Sequence, residues 1–380
     1  MGLNQFHDIL PGSAIAWVHR QARADYVRDI ARLRDIAAEA GASIASVRDD
    51  ADMRSNAAIV PYTAKNGDSW IARTAAVGTQ DDDANGTDAV ADESTIATTC
   101  DDGRIILDNG LLRAIIAPDG TVHSLIDHEL VPDGSGIGHY ELLRDEPYEW
   151  DAWDIQRDAF LSAEGIDDSH VERVTETKRG GATVHVSSTT DGVSIDACIT
   201  LRAKSKSLEF RTKVDWRASE RFLKVDIPMA IQADRAQYEC QYGMVERPIQ
   251  KNTRSDEAKY ESCTHRFVRV ADAGYAAAVV NASTYGSDVS PIHRNTASGP
   301  VRGTMIRPLY PDPNTDKGVH EFAWNVVADA SMPAVLDEAN RLNAAVLPAV
   351  PVFDPLAQLN PVDGVMVLDW VKLADDGSGD

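Results

Sequence analysis

The chain has 380 residues, long enough for roughly two or three domains and at least one sizeable hydrophobic core. Its 43% hydrophobic and 26% charged residues are ordinary for a soluble globular protein, which excludes disorder as its general state. A formal net charge of -23, from 60 acidic against 37 basic residues, repels phosphate backbones and anionic membrane surfaces, so nucleic acid is excluded as a partner and the acidity reads as a solvation device.

At the N-terminus, apolar side chains recur every three to four residues at Ile15, Val18, Ala22, Tyr26, Ile30, Leu33 and Ala37. That spacing predicts one long amphipathic helix over about residues 13–40. Pro11 and Gly12 precede it, Ser13 is placed to cap it and Gly41 to end it. A lone helix of this length has nothing to bury its apolar face against, so it is expected to belong to a helical bundle whose other members are supplied elsewhere. Both chain ends read as boundaries inside a longer protein.

Residues 49–102 turn polar and acidic, and read as a linker or a small β-subdomain around the apolar stretches at 58–60 and 70–72. The run Asp81, Asp82 and Asp83 reads as a solvated loop, because the D-x-D-x-D-G calcium loop with its closing Glu is missing. From Arg104 onward the pattern changes to short β-type runs. The first, at 105–107 and 111–116, are bounded by the turn signatures Asp108-Asn109-Gly110 and Pro118-Asp119-Gly120, which are hairpin signals. Further runs lie at 183–186, 193–201, 208–216, 222–231, 275–280, 321–327 and 365–371, and no helix-length pattern alternates with them. The expectation is a mainly β protein: a large antiparallel β-sandwich preceded by a long α-helix from a truncated helical bundle. The predicted boundaries are 1–48 for the helical part, 49–102 for the linker or small β-subdomain, 103–350 for the sandwich and 351–380 for the start of a truncated β region.

No apolar run approaches the ~20 residues of a membrane span, and the N-terminus carries no basic start, apolar core or small-residue cleavage site. A cytoplasmic location with no membrane partner is expected. Cys100, Cys198, Cys240 and Cys263 form no C-x-x-C pair and read as reduced thiols. No phosphate loop, nucleophile elbow or H-E-x-x-H motif is present. His265 sits at no metal spacing and reads as structural, while Arg235, Arg247 and Arg307 read as partners for the abundant acids.

The segment at 4–13, NQFHDILPGS, lies at the mouth of the long helix. A His followed by Asp before a helix would, by itself, be an exposed or capping pair. The whole string resembles the zinc-site segment of glycoside hydrolase family 38 α-mannosidases of the bacterial and eukaryotic cytosolic type. The resemblance implies that His7 is a zinc ligand and that Asp8 hydrogen-bonds hydroxyls of the mannose ring. It continues through LDNGLLRAIIAPDGTVHSLID at 107–127, WDAWDI at 150–155, ADRA at 233–236, the stretch 241–248 and YPDP at 310–313, and is weakest over 50–100. It implies the family's C-terminal supersandwich, terminal α-mannosides as substrate and hydrolysis with retention.

The family's catalytic barrel also brings a His-x-Asp pair and an Asp that is both nucleophile and zinc ligand, and no H-x-D occurs in this chain. The resemblance therefore implies a chain with no catalytic nucleophile or acid of its own, whose partner is a missing N-terminal catalytic domain. Catalytic zinc needs at least three protein ligands, so His7 alone is not expected to hold it tightly. Asp151 and Asp154 lie three apart, as a retaining carboxylate pair on a helix could, but an Asp pair in a turn more often caps backbone N–H groups. Trp150 and Trp153 read as core anchors, with a sugar-stacking platform as the alternative. Two rival classes stay open: a stand-alone carbohydrate-binding module using those tryptophans, and a structural or oligomerising β-sandwich module.

Overall fold

The computed structural model describes residues 2–9, 14–45, 61–66, 69–74, 95–126, 129–132, 134–146, 148–149, 155–177, 180–282, 284–290, 300–306, 317–343 and 357–359. The chain divides into two compact units, one of residues 21–87 and 332–380 and one of residues 2–20 and 88–331. Strands dominate, and among the described residues every strand pairing is antiparallel. No helix among the described residues is long and apolar enough to cross a membrane.

A 3-10 turn at Gly2–Gln5 opens the chain, and helix α1 spans Ala16–Ala45. The helix runs past Gly41, where the sequence predicts its end. A glycine inside a helix costs about 1 kcal/mol relative to alanine, too little by itself to break a long helix. Strands β1 (Pro61–Asn66) and β2 (Ser69–Thr74) form a hairpin that carries the predicted apolar stretch at 70–72. The stretch at 58–60 and the run at 365–371 lie outside the described residues.

The sandwich begins with a meander, β3 (Ile96–Thr99), β4 (Ile105–Asp108), β5 (Arg113–Ile116) and β6 (Val122–Ile126). Next come β7 (His139–Arg144), a 3-10 turn at Arg157–Ser162, β8 (Glu164–Gly165), β9 (Asp168–Glu176), β10 (Ala182–Thr190), β11 (Val193–Leu201) and β12 (Ser207–Trp216). They are followed by β13 (Arg221–Pro228), β14 (Arg235–Cys240), β15 (Gly243–Pro248), a helical turn α2 (Arg254–Glu257), β16 (Ser262–Cys263) and β17 (Phe267–Ala271). The last are β18 (Ala276–Ala282), β19 (Gly286–Val289), β20 (Pro300–Ile306), β21 (Gly318–Val327), helix α3 (Met332–Asn343) and β22 (Ala357–Leu359), which pairs with β2.

These strands form a nine-stranded sheet in the order β15-β14-β17-β18-β21-β12-β11-β10-β9, a six-stranded sheet β16-β19-β20-β13-β7-β8 and the four-stranded meander β3-β4-β5-β6. All three contribute to one apolar core, which includes Leu107, Ile116, Ile195, Phe210, Val225 and Trp324. Strand β11 shows the period of two that makes this possible: Val193, Ile195, Ala197, Ile199 and Leu201 are buried, while Ser194 and Asp196 are exposed. The centre of the large sheet is closed by β12 against β21, with Ser207 opposite Val327 and Trp216 opposite Gly318. There the Phe210 and Trp324 rings stack with centroids 3.7 Å apart.

The two predicted turns hold the meander in register. Asn109 Oδ1 accepts from the Leu111 and Leu112 N–H groups, and its amide donates to the carbonyls of Arg202 and Ser205, so one side chain fixes the turn and ties it to the β11–β12 loop. Asp119 Oδ1 accepts from Thr121 N–H and from its hydroxyl. Gly120 between them stands at φ +87, and a Cβ there would lie 2.3 Å from Val186 Cγ1.

Strand β13 departs from simple alternation because both its faces are covered. Leu223, Val225 and Ile227 join the main core, whereas Phe222 on the other face packs with Leu143, Ala159 and Phe160 under the 3-10 turn at Arg157–Ser162. Lys224, on that same face, is fully buried with its Nζ 2.6 Å from Glu261, 2.7 Å from Asp288 and 5.2 Å from the centre of the Phe160 ring. Helix α3 corrects the expectation that no helix-length pattern follows residue 104: Val335, Glu338, Ala339 and Leu342 are buried at helical spacing.

Candidate metal centre and its surroundings

His7 and Asp8 follow the opening 3-10 turn, where Phe6 N–H donates to the Leu3 carbonyl and Ile9 N–H to the Phe6 carbonyl. These short bonds turn the backbone so that Asn4 is buried and the next three side chains face outward. The His7 side chain is 73% exposed and that of Asp8 45%, with Nε2 3.7 Å from Oδ2. The Phe6 ring lies 4.2 Å from the imidazole, tilted by 41°. One imidazole and one carboxylate of this kind suit zinc, but a catalytic site needs three protein ligands. Among the described residues, no trio of His, Cys, Asp or Glu side chains that could hold a metal includes His7.

Trp150, Asp151, Trp153 and Asp154 lie outside the described residues. His265 stands 3.7 Å from Glu239 and stacks on Tyr285, while the neighbouring Arg266 holds the same carboxylate with Nε 2.9 Å away. Arg235 pairs with Glu246 at 3.4 Å across the β14–β15 hairpin, as expected of it.

Two constellations escape the linear sequence because they form across strands. His185 and Cys198 face each other in the β10–β11 register, with Sγ 3.4 Å from Nδ1, and Thr175 lies 3.0 Å from Nε2. Burial raises the Cys198 thiol pKa; burial, then the charge of Arg173, lowers that of His185. Both shifts favour a neutral thiol beside a neutral imidazole, the opposite of an activated thiolate pair. In the β7–β13 register, His139 lies opposite Asp226, with Glu141 two residues along the same face, and the ligand atoms of these three side chains all lie within 4.8 Å of one another. Their only linear trace is the alternation His139-x-Glu141.

The family model for the glycosyl hydrolases family 38 C-terminal domain matches residues 107–314, and the alpha mannosidase middle domain matches residues 1–44. Alpha-mannosidase 2C1 of Homo sapiens is 27% identical over 306 residues, covering 72% of this chain and 27% of that protein. The Alpha-mannosidase of Saccharomyces cerevisiae is 26% identical over 343 residues, covering 85% of this chain and 30% of that protein. Among solved structures, an alpha-mannosidase from Enterococcus faecalis V583 superposes with a TM-score of 0.51 at 15% identity, over 68% of this chain and 34% of that one, a likeness of fold. The chain thus spans less than a third of the length of these curated relatives. With its sandwich matched over 107–314 and its opening segment over 1–44, this chain belongs to glycosyl hydrolase family 38.

Proposed function

We propose that the chain is the middle and C-terminal part of a zinc-dependent retaining α-mannosidase that releases terminal α-D-mannosides from oligosaccharides in the cytoplasm. The observation that carries this reading is the two family matches in order along one chain, with the exposed His7–Asp8 pair inside the first. In this reading His7 offers a ring nitrogen to zinc, and Asp8 accepts hydrogen bonds from hydroxyls of the terminal sugar. Zinc, when bound, supplies electrophilic binding of the vicinal hydroxyls. Nucleophile and acid come from the catalytic domain that precedes this segment. Exposure of His7 and Asp8 in the isolated chain is what a ligand and a sugar contact look like without the domain that faces them.

The test has two arms. The isolated chain, supplied with zinc or cobalt and an aryl α-mannoside, is expected to give no turnover above a buffer blank; measurable turnover overturns the division of labour. In the full-length protein, His7→Ala is expected to lose zinc and lower kcat/KM by more than the roughly 10–100-fold typical of losing a group one shell further from a metal. Unchanged zinc content and rate would remove His7 from the site.

The same reading places α1 in a helical bundle, and in the isolated chain its apolar residues are only partly covered. Ala22 is buried, whereas Trp17, Val27, Ile30, Leu33 and Ile36, and Ile15 just before the helix, are exposed. Each large side chain left in water forgoes about 1.5–3 kcal/mol. Two isolated chains are therefore expected to associate through α1, because identical faces are self-complementary. Sedimentation at rising concentration should show a dimer that Leu33→Asp abolishes. A monomer at every concentration contradicts the burial argument.

A further inference from the structure

We propose that His139, Glu141 and Asp226 form a second metal site, on the sandwich and separate from the His7 segment, that takes a divalent first-row transition ion. Strands β7 and β13 build it. Tyr140 and Leu142 point into the main core opposite Val225 and Leu223, so the alternate residues His139, Glu141, Lys224 and Asp226 share the outer face of the six-stranded sheet. The backbone fixes the trio closely, since Gly138 N–H donates to the Asp226 carbonyl at 2.9 Å directly beside His139. A single ion bound at zinc distances of about 2.0–2.2 Å needs donor atoms about 3–4.5 Å apart, and the three ligand atoms here lie within 4.8 Å of one another while half-buried.

One further feature fits an ion: strand β8 passes over the imidazole at Gly165. A Cβ there would lie 2.7 Å from His139 Cε1 and 2.8 Å from Nε2, so any larger residue would displace the ring from this position. Asp167 Oδ1 lies 3.3 Å from that same point, so a further carboxylate borders the space beside Gly165. One imidazole with two carboxylates is a donor set for zinc, manganese or cobalt, and the two negative charges balance a dication. Bound there, the ion would staple β7 to β13.

Zinc chloride is the probe, titrated calorimetrically into the chain carrying His7→Ala, so that uptake at the N-terminal segment cannot be mistaken for this site. The expected result is one equivalent bound, a raised Tm, and affinity lowered at least about tenfold by Glu141→Gln and by Asp226→Asn. These changes keep side-chain volume and are checked for native circular dichroism. Absence of zinc uptake by the His7→Ala chain, or uptake that neither variant alters, overturns the proposal. The trio would then be the acidic side of a cross-strand ion-pair ladder, for which Arg302 stands at the register position opposite both Asp226 and Asp288. None of this rests on the mannosidase reading.

Discussion

Lys224→Met is expected to destabilise the sandwich by about 3–5 kcal/mol, because it strands two carboxylates that are themselves largely out of water. Glu261 and Asp288 have side chains 17% and 8% exposed, and both bond the Lys224 ammonium. At roughly 2–4 °C per kcal/mol for a unit of this size, Tm should fall by about 6–20 °C. Adding Glu261→Gln and Asp288→Asn to Lys224→Met should recover much of the loss, because neutral amides no longer need the ammonium. A fall in Tm of only a degree or two would show that water reaches the triad.

The pH dependence has a definite sign. Burial by itself would lower the Lys224 pKa, but the charges of Asp288 and Glu261 outweigh it and hold the pKa above its usual 10.5. A folded-state pKa above the unfolded one contributes stability that is complete below about pH 10.5 and is lost as pH rises through the folded value. Tyr140, pushed up to about 12 by burial, and Tyr238, raised mainly by burial, lose stability in the same direction. The comparison is therefore between wild type and variant. Wild type should lose more of its stability above pH 10.5 than Lys224→Met does, as followed by urea unfolding.

Gly120→Ala is the second severe change. At φ +87 an L-residue costs about 1–2 kcal/mol. The new methyl would also sit 2.3 Å and 2.7 Å from the two methyls of Val186, a β-branched residue with little rotamer freedom inside β10. Overpacking of this sort adds about 1–3 kcal/mol, so a total of about 2–5 kcal/mol is expected. In Gly120→Ala with Val186→Ala the clash disappears and the backbone cost stays. Denaturant unfolding of the four members of that cycle should give a favourable coupling above about 0.5 kcal/mol. Strict additivity would mean that the turn moves away as a unit.

Much of this architecture could be read along the chain. The run at 193–201 became a strand of the same bounds because its alternation is strict, and the D-N-G and P-D-G turns appear where glycine is needed at positive φ. Lys224 was not legible. A lysine inside an apolar run reads as an edge or an outward position, and its partners lie 37 residues away at Glu261 and further still at Asp288. The His139 trio is invisible for the same reason, since only the β7–β13 register brings Asp226 opposite His139. Helix α3 was readable in principle: Pro333 stands in its first turn and Val335, Ala339 and Leu342 repeat at helical spacing. The strand run just before it masks that period. At the N-terminus, only the resemblance marks His7 and Asp8, whose side chains stand well in solvent.

The pairing of β12 with β21 has a consequence for how the protein is made. About a hundred residues separate the two strands, yet they form the middle of the nine-stranded sheet, so its closure is a non-local event with a large loop to close. At synthesis rates of about 5–20 residues per second, β12 leaves the ribosome roughly 5–20 s before its partner exists. Throughout that interval the β11–β12 ribbon has an open edge at β12, beside the apolar residues Phe210 and Val214. The opposite face of the same ribbon carries Asp196, Lys213 and Asp215, charges that discourage a second nascent chain from pairing there. Neutralising those three should lower soluble yield far more than it lowers the Tm of the molecules that do fold.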